Sequence, residues 1–167
     1  VSISFARSFA ELPRDLDGFL AERVERNVQA SLIVQGRAHV LSAGGSLFAW
    51  GKNDDGALRF FAMRTPPWPL LVSELEQADA EALMERWLAE DPRVPGVTGV
   101  PAATRAVGTA WERRTGGRAS CRMRDALHVL REVTDPPRRP GGVLRGALDR
   151  DSELLVEWER AFVHEAG

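Results

Sequence analysis

The chain has 167 residues, enough for one ordinary domain or slightly more, and such a chain buries roughly 70% of its unfolded surface without help from cross-links. With 44% hydrophobic and 28% charged residues it has the composition of a soluble globular protein, which excludes a disordered chain, a collagen-like repeat and a coiled-coil rod. Lys52 is the only lysine among 22 basic residues, and the arginines are interleaved with 24 acids to leave a net charge of −2. The arginine excess therefore reads as the coding bias of a GC-rich genome, since a nucleic-acid face needs an uncompensated basic stripe.

The longest apolar runs, such as Leu70–Val72 and Leu154–Val156, are too short to cross a bilayer. Cys121 is the only cysteine, so neither an internal disulfide nor a zinc cage can form. The first residues lack the basic stretch and apolar run of an export signal. Together these features set the expectation of a cytoplasmic protein with no nucleic-acid and no membrane partner.

In chain order, Val1–Arg7 alternates weakly, as an edge strand does. Pro13 and Asp15 precede a helical stripe of Leu16, Phe19, Leu20 and Val24. A second helical stretch is expected around Val28, Leu32, Ile33 and Val40, ending before Gly44-Gly45. The strongest local signal follows: Ser46–Lys52 and Ala57–Arg64 flank Asn53-Asp54-Asp55-Gly56, which predicts a β-hairpin over 46–64. The three prolines of Thr65-Pro66-Pro67-Trp68-Pro69 make a stiff connection into a short strand, Leu70–Ser73.

Ala80, Leu83, Met84, Trp87 and Leu88 recur at helical spacing and predict an amphipathic helix ended by Asp91-Pro92. Val94–Val100 reads as a glycine-punctuated strand, and Pro101 opens a helix bearing Val107, Ala110 and Trp111 that stops at Gly116-Gly117. From Ala119 to Val133, Cys121, Met123, Leu127, Val129 and Val133 share one parity while Arg122, Arg124 and His128 share the other. This predicts a long strand with one buried face, on which Cys121 is a small buried hydrophobe. Asp135–Gly142 is the one linker-like stretch, followed by a short strand at Val143–Leu148 and a helix from about Asp151. Leu154, Leu155, Trp158, Ala161 and Phe162 share one face of that helix, and the sequence reads as cut at Gly167.

The resulting order is strand, helix, helix, three strands, helix, strand, helix, strand. It resembles the GNAT-type N-acetyltransferase fold, an α/β (α+β) architecture with a mixed, mostly antiparallel sheet flanked by helices. The chain is similar in particular to the degenerate N-terminal domain of bacterial two-domain GNAT proteins. That resemblance rests on Met63-Arg64-Thr65-Pro66-Pro67, on Pro95-Gly96-Val97-Thr98-Gly99 ahead of a helix with Trp111, Thr115 and Gly116, and on Arg122-Met123-Arg124. Gly142-Val143-Leu144-Arg145-Gly146-Ala147 and Leu155–Phe162 resemble the opening of a second domain, and Ile3–Glu22 and Val143–Phe162 echo each other as strand, acidic turn and helix. The implied organisation is a degenerate GNAT-like domain over 1–134, a linker over 135–142 and an incomplete second GNAT domain over 143–167. Roughly another 110–130 residues would complete that second domain.

The resemblance implies a parent that transfers an acetyl group from acetyl-coenzyme A to a small-molecule or peptide amine. Enzymes of this family hold the cofactor's pyrophosphate between the fourth strand and the next helix on a Q/R-x-x-G-x-G/A turn, where glycines allow close approach and the helix N-terminus favours negative charge. Here that junction is Val72-Ser73-Glu74-Leu75-Glu76-Gln77-Ala78-Asp79, with three acids and no glycine or arginine, so the expected cofactor is absent from this chain. Arg93–Gly99 imitates the motif one strand later and reads as a strand whose glycines permit close packing, while Arg64, Pro66 and Pro67 read as a stiff loop.

His39, His128 and His164 lack metal-ligand spacing. No residue of this chain is assigned as catalytic, as a cofactor contact or as a metal ligand. Trp158 and Phe162 are core or interface anchors that in an intact parent would also sit near the acceptor cleft, and they are the candidate substrate-binding residues. The function this predicts is the non-catalytic half of an N-acyltransferase, supporting acceptor binding and domain packing. A stand-alone small-molecule or protein binding module with GNAT-like topology is the alternative. The apolar tail, Val143–Gly167, is expected to fold against the first domain or against another copy of the chain, the latter giving a homodimer through 143–167.

Overall fold

The computed structural model describes residues 2–22, 45–126, 130–135, 137–138 and 141–166. The chain divides into two compact units, Val1–Val129 and Leu130–Gly167. Each is taken in turn.

The first unit is mixed α/β. Its elements are β1 (Ser2–Ala6), α1 (Leu16–Ala21), β2 (Leu47–Lys52), β3 (Leu58–Arg64), β4 (Leu70–Val72), α2 (Gln77–Glu90), β5 (Val97–Thr98) and α3 (Pro101–Thr115). The five strands form one sheet in the order β1-β2-β3-β4-β5, antiparallel throughout except for the parallel pair β4–β5. That single parallel step exists because α2 carries the chain across the sheet before it re-enters, as any parallel connection must.

The hairpin forms as its turn chemistry predicts. Asn53 donates its N–H to Ala57 O at 2.9 Å, Gly56 N–H reaches Asn53 O at 3.0 Å, and Asp55 Oδ1 accepts from Ala57 N–H at 3.0 Å. The register then places Phe48 opposite Met63 and Ala49 opposite Ala62. Alternate residues consequently point to opposite faces, and both faces are covered. Ile3, Leu47, Ala49, Phe60, Ala62, Leu70 and Val72 pack under Leu83, Met84 and Trp87 of α2 and Ala103, Val107 and Ala110 of α3. On the other face Ala6, Phe48, Phe61 and Met63 pack with Leu12 and with Leu16 and Leu20 of α1. A β3 strand buried on both sides explains why Phe60-Phe61-Ala62-Met63 is a continuous apolar run.

Both long helices end where expected. Asp91 closes α2 in an extended conformation, and α3 starts with Pro101 and stops at Gly116, whose φ of 71° is left-handed backbone that glycine adopts without strain. Arg64 is buried rather than ligand-facing: its Nε donates to Trp68 O at 2.9 Å and its Nη1 pairs with Asp91, tying the proline loop to the end of α2. The stiff-loop reading of 64–67 accounts for that side chain fully.

Several expectations are corrected. The strand at Val94–Val100 contracts to Val97–Thr98. No strand spans 119–133: residues 119–126 and 130–135 are irregular and exposed, and Leu127, His128 and Val129 lie outside the described residues. Cys121 is accordingly exposed rather than buried. An alternating pattern makes a strand only where a neighbouring strand satisfies its N–H and C=O groups, and the described parts of this segment pair with none. The helical stretch expected over Val28–Val40, with Val24 and His39, also lies outside the described residues.

In the second unit, residues 143–148 are irregular where a short strand was expected, and α4 (Ser152–Ala166) follows a single 3-10 turn, Asp149–Asp151. Asp151 organises this entry. Its carboxylate takes Nη1 and Nη2 of Arg145 at 2.6 and 2.9 Å and the Leu148 N–H at 2.8 Å. No helix among the described residues is long and apolar enough to cross a membrane.

Candidate ligand cleft

Parallel strands exit at the same end of a sheet, so the junctions that follow them converge there. Ser73–Glu76 leads from β4 into α2, and Gly99-Val100 leads from β5 into α3. Between them lies an open cleft of about 540 Å3, lined by Asn53 and Leu58–Arg59 of the hairpin, Glu74–Glu76 and Asp79, and Val100, Ala102 and Ala103.

Two contacts shape its walls. A Cβ at position 99 would sit 2.6 Å from Val72 O, so only glycine lets β5 leave the sheet this close to β4. Ser73 Oγ accepts the Phe61 N–H at 2.9 Å, while Ser73 N–H reaches Phe61 O at 2.9 Å, so the serine extends the β3–β4 ladder with its own side chain as the strand ends. Neither α2 nor α3 has its N-cap side chain bonded to the first turn, because the N-cap residues are Glu76 and Val100.

Arg59 dominates the electrostatics. Its Nε and Nη2 both donate to Asp79 Oδ2, at 3.2 and 2.9 Å, its Nη1 reaches Asn53 Oδ1 at 3.3 Å and its Nη2 lies 3.4 Å from Glu76 Oε2. The hydrogen bond to Asp79 and then that carboxylate's charge hold the guanidinium above its ordinary range, with Glu76 adding to the effect. The lining thus contains three acids, Glu74, Glu76 and Asp79, and one arginine already engaged by two of them. Such a wall offers an incoming anion no uncommitted guanidinium, and its apolar lining is Leu58, Leu75, Val100 and two alanines.

The β4–α2 junction singled out in the sequence therefore does line a cleft, but Arg59 and Asn53 were not foreseen as part of it. No sequence signal links Arg59 to Asp79, since the pairing follows from the register of β3 and the crossing of α2. Residues 93–99 include β5, and none of them lines the cleft, whose wall takes Val100 directly after them. Trp158 and Phe162 lie one turn apart on α4 in the second unit, both exposed. His164 is on the same helix, and His39 and His128 lie outside the described residues. Among the described residues no three His, Cys, Asp or Glu side chains are grouped to hold a metal ion.

Compared with protein-family models, with curated proteins and with solved structures, the chain matches none of them.

Proposed function

We propose that this chain is a non-catalytic, GNAT-like part of an N-acetyltransferase, working in the cytoplasm by packing against a catalytic half and shaping its acceptor site. Acetyl transfer to a small-molecule or peptide amine belongs to that other half. The observation that carries this reading is the cleft at the end of β4. The resembled family holds its cofactor between the fourth strand and the next helix, and here that place is walled by Glu74, Glu76 and Asp79 with the one arginine already committed. The five-stranded mixed sheet, with its α2 crossover between β4 and β5, is compatible with the GNAT order of elements. Trp158 and Phe162 remain the residues that would meet acceptor or partner surface.

The acidic wall also favours a second reading, a binding module that takes a small amine without any coenzyme A. Isothermal titration of the full chain separates the two. Acetyl-coenzyme A should release no saturable heat, and micromolar binding would overturn the non-catalytic assignment. Titration with spermidine tests the second reading: saturable binding that disappears in Glu76→Gln would replace the first reading by a stand-alone amine-binding module.

A further inference from the structure

We infer that Arg86 guards the outer edge of β1 and keeps a further strand from adding to the sheet there. Among the described residues β1 pairs only with β2, so it is a terminal strand. A terminal strand presents main-chain N–H and C=O groups on which another extended chain can build. The register fixes which residues present them. Phe61 turns its N–H and C=O to Ser73 on the β4 side, so by alternation Ala62 turns its own to Ala49 of β2. Phe48 and Trp50 then turn theirs to Ala6 and Ser4 of β1. Ile3 and Phe5 are left with main-chain groups pointing away from the sheet.

Arg86 lies across those groups. Its Nη1 donates to Ile3 O, and its guanidinium carbon sits 5.2 Å from the centre of the Phe5 ring. Glu90, one turn further along α2, takes Nη2 of Arg7 at 2.9 Å, just past the end of β1. The exposed side of α2 is thus fastened along β1 from Ile3 to Arg7. Arginine suits the task, because its planar fork satisfies a carbonyl while lying on an aromatic ring, and its charge makes the edge a poor seat for an apolar strand. A strand adding to β1 would need the Ile3 C=O and must first displace the guanidinium from it. The guard lies wholly in the first unit and stands whether or not that unit serves an acetyltransferase.

Amide exchange of the full chain, followed residue by residue by NMR, tests it. In the wild type the Ile3 and Phe5 N–H groups should exchange at a rate independent of protein concentration, while Ser4 N–H, turned to β2, stays protected. In Arg86→Ala the Ile3 and Phe5 N–H groups should slow about tenfold between about 10 μM and 1 mM protein, as a strand of another copy takes them up. Arg86→Met keeps cover over the Phe5 ring without the donor, and should show the same slowing. It is the variant to read if Arg86→Ala loses the Ser4 protection that reports β1 in place. Concentration-dependent protection of Ile3 and Phe5 in the wild type would overturn the inference, as would its absence from both variants.

Discussion

Arg59 donates to one oxygen of Asp79 from two of its nitrogens, Nε at 3.2 Å and Nη2 at 2.9 Å, joining β3 to the first turn of α2. The two partners are unequally placed. Asp79 is 4% exposed at its side chain and Arg59 31%, so the carboxylate depends on the arginine far more than the reverse. The same contact decides the character of the cleft, because a guanidinium held there is not available to an incoming anion.

Replacing Arg59 with Ala should therefore destabilise the first unit by leaving Asp79 buried without its cation. Arg59→Lys should lie between the two, keeping the charge but losing the fork. The double variant Arg59→Ala/Asp79→Ala should lose less than the two single changes added together, since the unpaired carboxylate is gone. Thermal unfolding followed by circular dichroism reads the wild type, Arg59→Ala, Arg59→Lys, Asp79→Ala and the double variant, and an Arg59→Ala protein that melts with the wild type would show the pair to be ornamental.

Trp87 is the largest buried side chain, fully enclosed between α2 and the sheet with the Phe5 ring 5.9 Å away. Trp87→Ala should cost about 3–5 kcal/mol, as truncation of a fully buried aromatic does. Leu20→Ala, in the separate cluster on the other face of the sheet, should cost about 2–5 kcal/mol. The clusters share no residue, so the two losses should add, as urea unfolding can measure.

Asp151 supplies a pH-dependent element. The Arg145 guanidinium, and then the Leu148 N–H, hold its carboxyl below the ordinary aspartate value. A depressed folded-state value means the carboxylate's contribution is complete above the unfolded value and is lost as pH falls through the folded one. The start of α4 should therefore be unaffected down to about pH 4 and loosen progressively below it. Hydrogen exchange at 145–155 across that range reads the effect, and Asp151→Asn should remove the pH dependence while weakening the entry at every pH.

What could be read from the sequence is what depends on neighbours in sequence. The Asn53–Gly56 turn, the apolar stripe of Gln77–Glu90, Pro101 and Gly116 at the ends of α3, and the face of α4 each carry their own signal, because turns and helices satisfy their backbone groups within a few residues. Strands do not. Ala119–Val133 has the parity of a strand, yet residues 119–126 and 130–135 find no ladder, and an unpaired extended segment leaves its polar backbone to water.

Tertiary structure alone decided the cleft. Glu74, Glu76 and Asp79 could be counted in the sequence as three acids at one junction, but their meeting with Arg59 and Asn53 required the β2–β3 register and the α2 crossover to place residues twenty apart within hydrogen-bond reach. The approach of Gly99 to Val72 O likewise exists only because β4 and β5 lie parallel. Sequence pattern specifies which faces are apolar, whereas the identity of the groups that meet across the sheet is a property of its topology.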